Sequence, residues 1–136
     1  MNDILIVDDE KDIRDLIAEI LKDEGFKVRV AGNSEDCLKE IDSKPPAVLL
    51  LDIWLKDSEM DGIDILKATK RNNPDIPILI ISGHGNIEIA VAAIKQGAYD
   101  FVEKPFNTDQ LLVVVKRAFE KSKLLQENLS LRKGGI

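Results

Sequence analysis

The sequence predicts an α/β fold in which a parallel sheet of five strands carries helices on both faces. Three observations lead there. Short apolar runs without alternation recur at residues 4–7, 47–51 and 76–81, the pattern of strands buried on both faces. Between them, apolar residues repeat at helical spacing among charges. Strand and helix alternate five times, which implies parallel pairing. Right-handed crossovers leave few topologies, of which a flavodoxin-like three-layer (βα)5 sandwich with strand order 2-1-3-4-5 is the simplest.

The central stretch is AVLLLDIWL, residues 47–55, bounded by Lys44-Pro45-Pro46 before it and a polar loop after it. Asp52 ends the run. A carboxylate there stands at the carboxyl edge of the sheet, where open α/β folds bind ligands, and Asp52 is the candidate reacting group. The first run, Ile4-Leu5-Ile6-Val7, likewise ends in acids, Asp8-Asp9-Glu10. Ile13, Leu16, Ile17, Ile20 and Leu21 then mark a helix that Gly25 stops. Phe26, Val28 and Val30 alternate with Lys27 and Arg29, as in a half-exposed strand near the sheet edge. Asn33 or Ser34 caps a short helix carrying Cys37, Leu38 and Ile41, which ends before Pro45-Pro46.

After the loop 56–62, Ile63, Ile65, Leu66 and Ala68 form a third helix, closed near Asn72-Asn73-Pro74. The strand 76–81 tolerates Pro77 near its start and leads into Ser82-Gly83-His84-Gly85. Ile87, Ala90, Val91 and Ile94 mark a fourth helix that stops at Gly97. A short fifth strand, 99–103, runs into Lys104-Pro105. Asn107 and Gln110 are spaced as a capping box ahead of a long helix from about Asp109. Beyond Phe119 that helix carries Leu124, Asn128 and Leu131 among charged and amide residues, a spacing shared by a short heptad with a buried Asn and by a solvated extension. The chain thus divides into a domain over 1–120 and a helical linker over 121–136.

Composition narrows the functions. The net charge of −6 over 136 residues argues against nonspecific nucleic-acid binding, which needs a basic face. The single Cys37 makes no internal disulfide and no export signal is expected, both in keeping with a reducing cytoplasm. No apolar run is long enough to span a membrane. Strand order brings Asp8-Asp9 and Asp52 to adjacent ends, with Ser82 and Lys104 at the next two. Carboxylates so crowded repel unless a cation joins them. Oxygen-only ligation suits Mg²⁺, Mn²⁺ or Ca²⁺ and not Zn²⁺. A carboxylate beside Mg²⁺ can attack phosphorus to give an aspartyl phosphate, and a lysine and a hydroxyl opposite can bind the phosphoryl oxygens.

With Asp-Asp after strand one, Asp after strand three, Ser after strand four and Lys-Pro after strand five, the chain resembles a two-component response-regulator receiver domain over about residues 3–120. The segments SGHGNIEIAVAAIKQGAYDFVEKPF and DIWLKDSEMDG further resemble the nitrogen-regulation type of the NtrC/NtrX group, the second leaning to NtrX. The resemblance implies that Asp52 is the phosphoacceptor and that Asp9, Asp52 and the Trp54 carbonyl bind Mg²⁺ (Mn²⁺ as a substitute), with Asp8 acting through water. It implies that Ser82 and Lys104 contact the phosphoryl group and that Lys104-Pro105 is cis. Ser82 and Phe101 fall at the family's switch positions, and Trp54 and His84 at the pocket rim. The implied partners are a sensor histidine kinase and a second copy, met through helix four, strand five and helix five or through the last helix. DNA is reached only through a C-terminal module beyond this sequence, which in that group follows an ATPase module. One departure stands out: Leu55 is followed by Lys56 where most receivers have Met-Pro or Leu-Pro, and the loop is about two residues longer.

Other readings of the acid pocket meet obstacles. A haloacid-dehalogenase-like phosphohydrolase needs Asp-x-Asp, but Trp54 holds the second position. An FMN binder of the same topology needs a Ser/Thr-rich phosphate loop where Asp8-Asp9 stand. A phosphate-independent interaction module would have no use for the pocket. Gly83 and Gly85 lack the glycine-rich fingerprint of a nucleotide site, and Cys37 reads as a small core residue.

Overall fold

A computed structural model describes residues 3–54, 62–83 and 87–134, with side chains to Leu125. The loop 55–61, including its departure from the receiver pattern, and His84 lie outside the described residues. The elements run β1 (Asp3–Val7), α1 (Lys11–Asp23), β2 (Lys27–Ala31), α2 (Ser34–Ser43), β3 (Val48–Asp52), α3 (Gly62–Asn72), β4 (Ile78–Ser82), α4 (Ile87–Lys95), β5 (Asp100–Glu103) and α5 (Thr108–Gly134). All pairings are parallel, in the order β2-β1-β3-β4-β5.

Every residue of β1, β3 and β4 is buried, whereas β2 at the edge is only partly so. Side chains alternate across the strands and so build two cores. Leu5, Val7, Leu49, Leu51, Ile78 and Ile80 face one, with Cys37, Ile41, Ile65 and Leu66 of α2 and α3. Ile4, Ile6, Val48, Leu50, Leu79 and Ile81 face the other, with α1 and α5. Burial pushes the Cys37 thiol up to about 12, so it packs as an unreactive apolar group.

The boundaries follow local chemistry. Asn33 caps α2 by accepting from the Asp36 N–H at 2.8 Å, and Asn107 caps α5 by accepting from the Gln110 N–H at 2.6 Å. Gly25 takes φ +94° after α1 and Gly97 φ +114° after α4, left-handed conformations that glycine adopts without steric cost. The apolar run 47–55 outlasts its strand: β3 ends at Asp52, Ile53 stays buried, and Trp54 turns out, 52% exposed. Ladder pairing therefore stops at the carboxylate.

Candidate functional site

The site lies where β1, β3, β4 and β5 end. Val7 pairs with Leu51, Asp52 with Ile81, and Ser82 with Glu103, so Asp8, Asp52, Ser82 and Lys104 form a row along the carboxyl edge. Asp8 is fully buried, Asp52 is 5% exposed and Ser82 is 1% exposed. The Asp8 backbone is held on both sides: its N–H donates to the Ala31 carbonyl at 3.2 Å and its carbonyl accepts from Arg14 Nη1 at 3.2 Å. Lys104 is tied to β4 by its N–H, which donates to the Ser82 carbonyl at 2.7 Å. The Lys104-Pro105 bond is cis.

Lys104 Nζ reaches into the row, 3.6 Å from Asp8 Oδ2, 3.8 Å from Asp52 Oδ2 and 3.8 Å from Glu10 Oε1. One ammonium therefore serves three carboxylates. Asp52 Oδ1 accepts from the Trp54 N–H at 3.2 Å, and Asp8 Oδ1 from the Glu10 N–H at 2.9 Å. These donors do not offset the loss of solvent. Burial, then the Asp8 charge, pushes Asp52 up to about 7 against the pull of Lys104 and the Trp54 N–H. Burial also raises Asp8, opposed first by its bond to the Glu10 N–H.

Two polar atoms mark what the site lacks. Asp8 Oδ2 and Ser82 Oγ are buried and have no hydrogen-bond partner among the described residues, an arrangement folded proteins otherwise avoid. Carboxylate oxygens of Asp8, Asp9 and Glu10 lie within 4.8 Å of one another. An all-oxygen set with an unsatisfied buried carboxylate fits a hard divalent cation such as Mg²⁺. The sequence reading grouped Asp8 and Asp9 with Asp52; Asp52 stands beside Asp8, and Glu10 joins the acids as a residue that reading did not single out. Glu10 is the cap of α1, and its position directly after Asp8-Asp9 was the available signal. Arg14, one helical turn on, was also missed. Phe101 is half-buried against the α2–α4 core, and the Trp54 side chain is exposed.

The response regulator receiver domain model matches residues 4–116. The chain belongs to that family. It is similar to an NtrX-like response regulator of Rickettsia bellii, 58% identical over 130 residues that are 96% of this chain and 27% of that protein. It is similar also to the nitrogen assimilation regulatory protein NtrX of Azorhizobium caulinodans, 54% identical over 93% of this chain and 28% of that protein. The crystal structure of the receiver domain of NtrX from Brucella abortus superposes with a TM-score of 0.85 at 52% identity, covering 87% of this chain and 98% of that one. The chain spans little more than a quarter of the length of these curated relatives. It is a regulatory, phosphorylation-dependent signalling domain of the receiver type, not a catalytic enzyme.

Proposed function

We propose that Asp52 is the phosphoacceptor, taking its phosphoryl group from a sensor histidine kinase. The observation that carries this reading is the sharing of Lys104 between buried Asp8 and Asp52, beside a Ser82 hydroxyl that has no partner among the described residues. An Asp52 oxygen bonds to phosphorus as the P–N bond to the kinase histidine breaks, and the electron pair leaves with the imidazole. Lys104 and Ser82 bind the phosphoryl oxygens, offsetting charge that builds in the transition state. Asp9, Asp52 and the Trp54 carbonyl would hold Mg²⁺ (or Mn²⁺), with Asp8 acting through water. The bound ion supplies positive charge that keeps Asp52 ionised and screens the incoming phosphoryl group.

The phosphoryl group adds about −1.5 to −2 charge. Its oxygens draw Ser82 inward, Phe101 rotates into the vacated space, and α4 shifts with the loop that precedes it. The output face is α4–β5–α5. Ile87, Val91 and Ile94 are exposed on α4, a stripe suited to a second copy of the chain. Residues 121–136 act as a helical linker toward ATPase and DNA-binding modules, through which transcription is regulated. Among the described residues no helix is long and apolar enough to cross a membrane, in keeping with a cytoplasmic protein.

Acetyl phosphate with Mg²⁺ should label the wild type stoichiometrically, without sustained turnover, and Asp52→Asn should lose the label entirely. Label retained by Asp52→Asn and mapped to Asp8 or Asp9 would overturn the assignment. With beryllofluoride, amide exchange should change from Gly83 to Phe101; changes confined to the neighbourhood of Asp52 would remove the switch.

A further inference from the structure

Gly62 opens α3 immediately beneath the end of β3. A Cβ added there would lie 2.5 Å from Ile53 Cα, 2.7 Å from the Asp52 carbonyl oxygen and 2.8 Å from the Ile53 carbonyl oxygen. All three are backbone atoms, so no side chain can swing aside. At Gly97 an added Cβ would meet only the flexible Lys70 chain, at Gly32 the Arg14 guanidinium, and at Gly25 nothing within 4 Å. The Gly62 N–H also donates to the Ile53 carbonyl at 3.1 Å, while the Ile53 N–H donates to the Ile81 carbonyl at 3.1 Å. The backbone just after Asp52 is thus pinned between β4 on one side and the first residue of α3 on the other.

We propose that Gly62 is a positioning residue: its missing side chain lets α3 seat directly on the Asp52–Ile53 backbone and sets where the Asp52 carboxylate stands. The sequence shows only an Asp-Gly pair before a helix; the contact gives the glycine a reason in space. Ordinary contact begins at 3.4 Å, so a methyl group would part the two backbones by about 1 Å, a displacement that at a reacting centre costs on the order of a hundredfold in rate. The catalytic consequence rests on the reading of Asp52 as phosphoacceptor; the placement of its carboxylate does not.

The test compares Gly62→Ala with Gly25→Ala, a strained but remote substitution. In the metal-free folded proteins, the Asp52 carboxyl carbon and the Trp54 amide, which donates to Asp52 Oδ1, should shift by NMR in Gly62→Ala and stay in place in Gly25→Ala. Labelling of Asp52 by acetyl phosphate, per folded molecule, should fall at least tenfold in the first and stay within twofold in the second. Wild-type Asp52 and Trp54 signals in Gly62→Ala, or labelling within twofold of wild type, overturn the proposal. A wild type that takes no label defeats the phosphoacceptor reading alone, and the two NMR signals then decide. If Gly62→Ala does not fold, the wild type decides: a scalar coupling across the hydrogen bond from the Gly62 nitrogen to the Ile53 carbonyl carbon supports the contact, and its absence overturns it.

Discussion

β1 carries a buried aspartate at each end, and the two are solved differently. Asp3, at the amino end, pairs with Arg29 of β2, whose guanidinium also reaches Glu40 Oε2 at 3.0 Å and the carbonyls of Glu40 and Lys44 at 3.0 and 2.6 Å. That arginine ties β1, β2 and α2 together. Asp8, at the carboxyl end, has only a third share of Lys104, at 3.6 Å; each aspartate keeps one buried oxygen, Asp3 Oδ1 and Asp8 Oδ2, without a hydrogen bond among the described residues. The same residue type, five positions along the chain, has a braced cation of its own at one end of β1 and a shared one at the other. What differs is the cation: Arg29 is braced by α2 beside Asp3, whereas Lys104 is divided among three acids at the edge where open α/β sheets bind ligands.

Breaking the compensated end should have the largest effect on stability. Arg29→Met leaves Asp3 buried beside no cation and should cost about 3 kcal/mol, since removing one partner strands the other charge. A melting temperature lowered by roughly 10 °C is expected, with Mg²⁺ binding retained. A drop of only a degree or two would mean that Asp3 is not held by that pair.

At the other end, Mg²⁺ should stabilise the wild type by about 2.7 kcal/mol at a hundred times its dissociation constant, measured by thermal melting. Asp8→Asn with Asp9→Asn should lose the gain. A wild-type melting temperature indifferent to millimolar Mg²⁺ would remove the contrast between the two ends.

The smallest effect is a pH dependence of the metal-free protein. The folded-state pKa of Asp52, about 7, stands above its usual 3.8, so the folded chain holds a proton that the unfolded chain releases. That contribution is fully present below pH 3.8 and is lost as pH rises through 7. Metal-free protein should therefore gain about 1 kcal/mol between pH 8 and pH 6, whereas Asp52→Asn should lose this dependence and melt higher at pH 8. Equal slopes in the two proteins would show that Asp52 is not the strained group.

Five strands, five helices, their order and their stops follow from periodicity, Gly25, Gly97 and the Asn caps, because these are local signals that tertiary packing reinforces. The row Asp8, Asp52, Ser82 and Lys104 was also legible, since each follows an expected strand and right-handed crossovers left few strand orders, of which 2-1-3-4-5 was the simplest. The site's strain was not. That Asp52 rises to about 7, that Lys104 is divided among three acids, and that Glu10 joins them depend on distances between segments about forty to ninety residues apart. Gly62 makes the same point: in sequence it is the end of a loop, and only the packing of α3 on β3 brings the Asp52–Ile53 backbone within reach of an absent Cβ. Sequence alone determined which groups line the edge, through periodicity and the hand of the chain. Tertiary structure decided how much solvent each group loses and which neighbours share its charge, because burial and Coulomb energy depend on distances that periodicity does not encode.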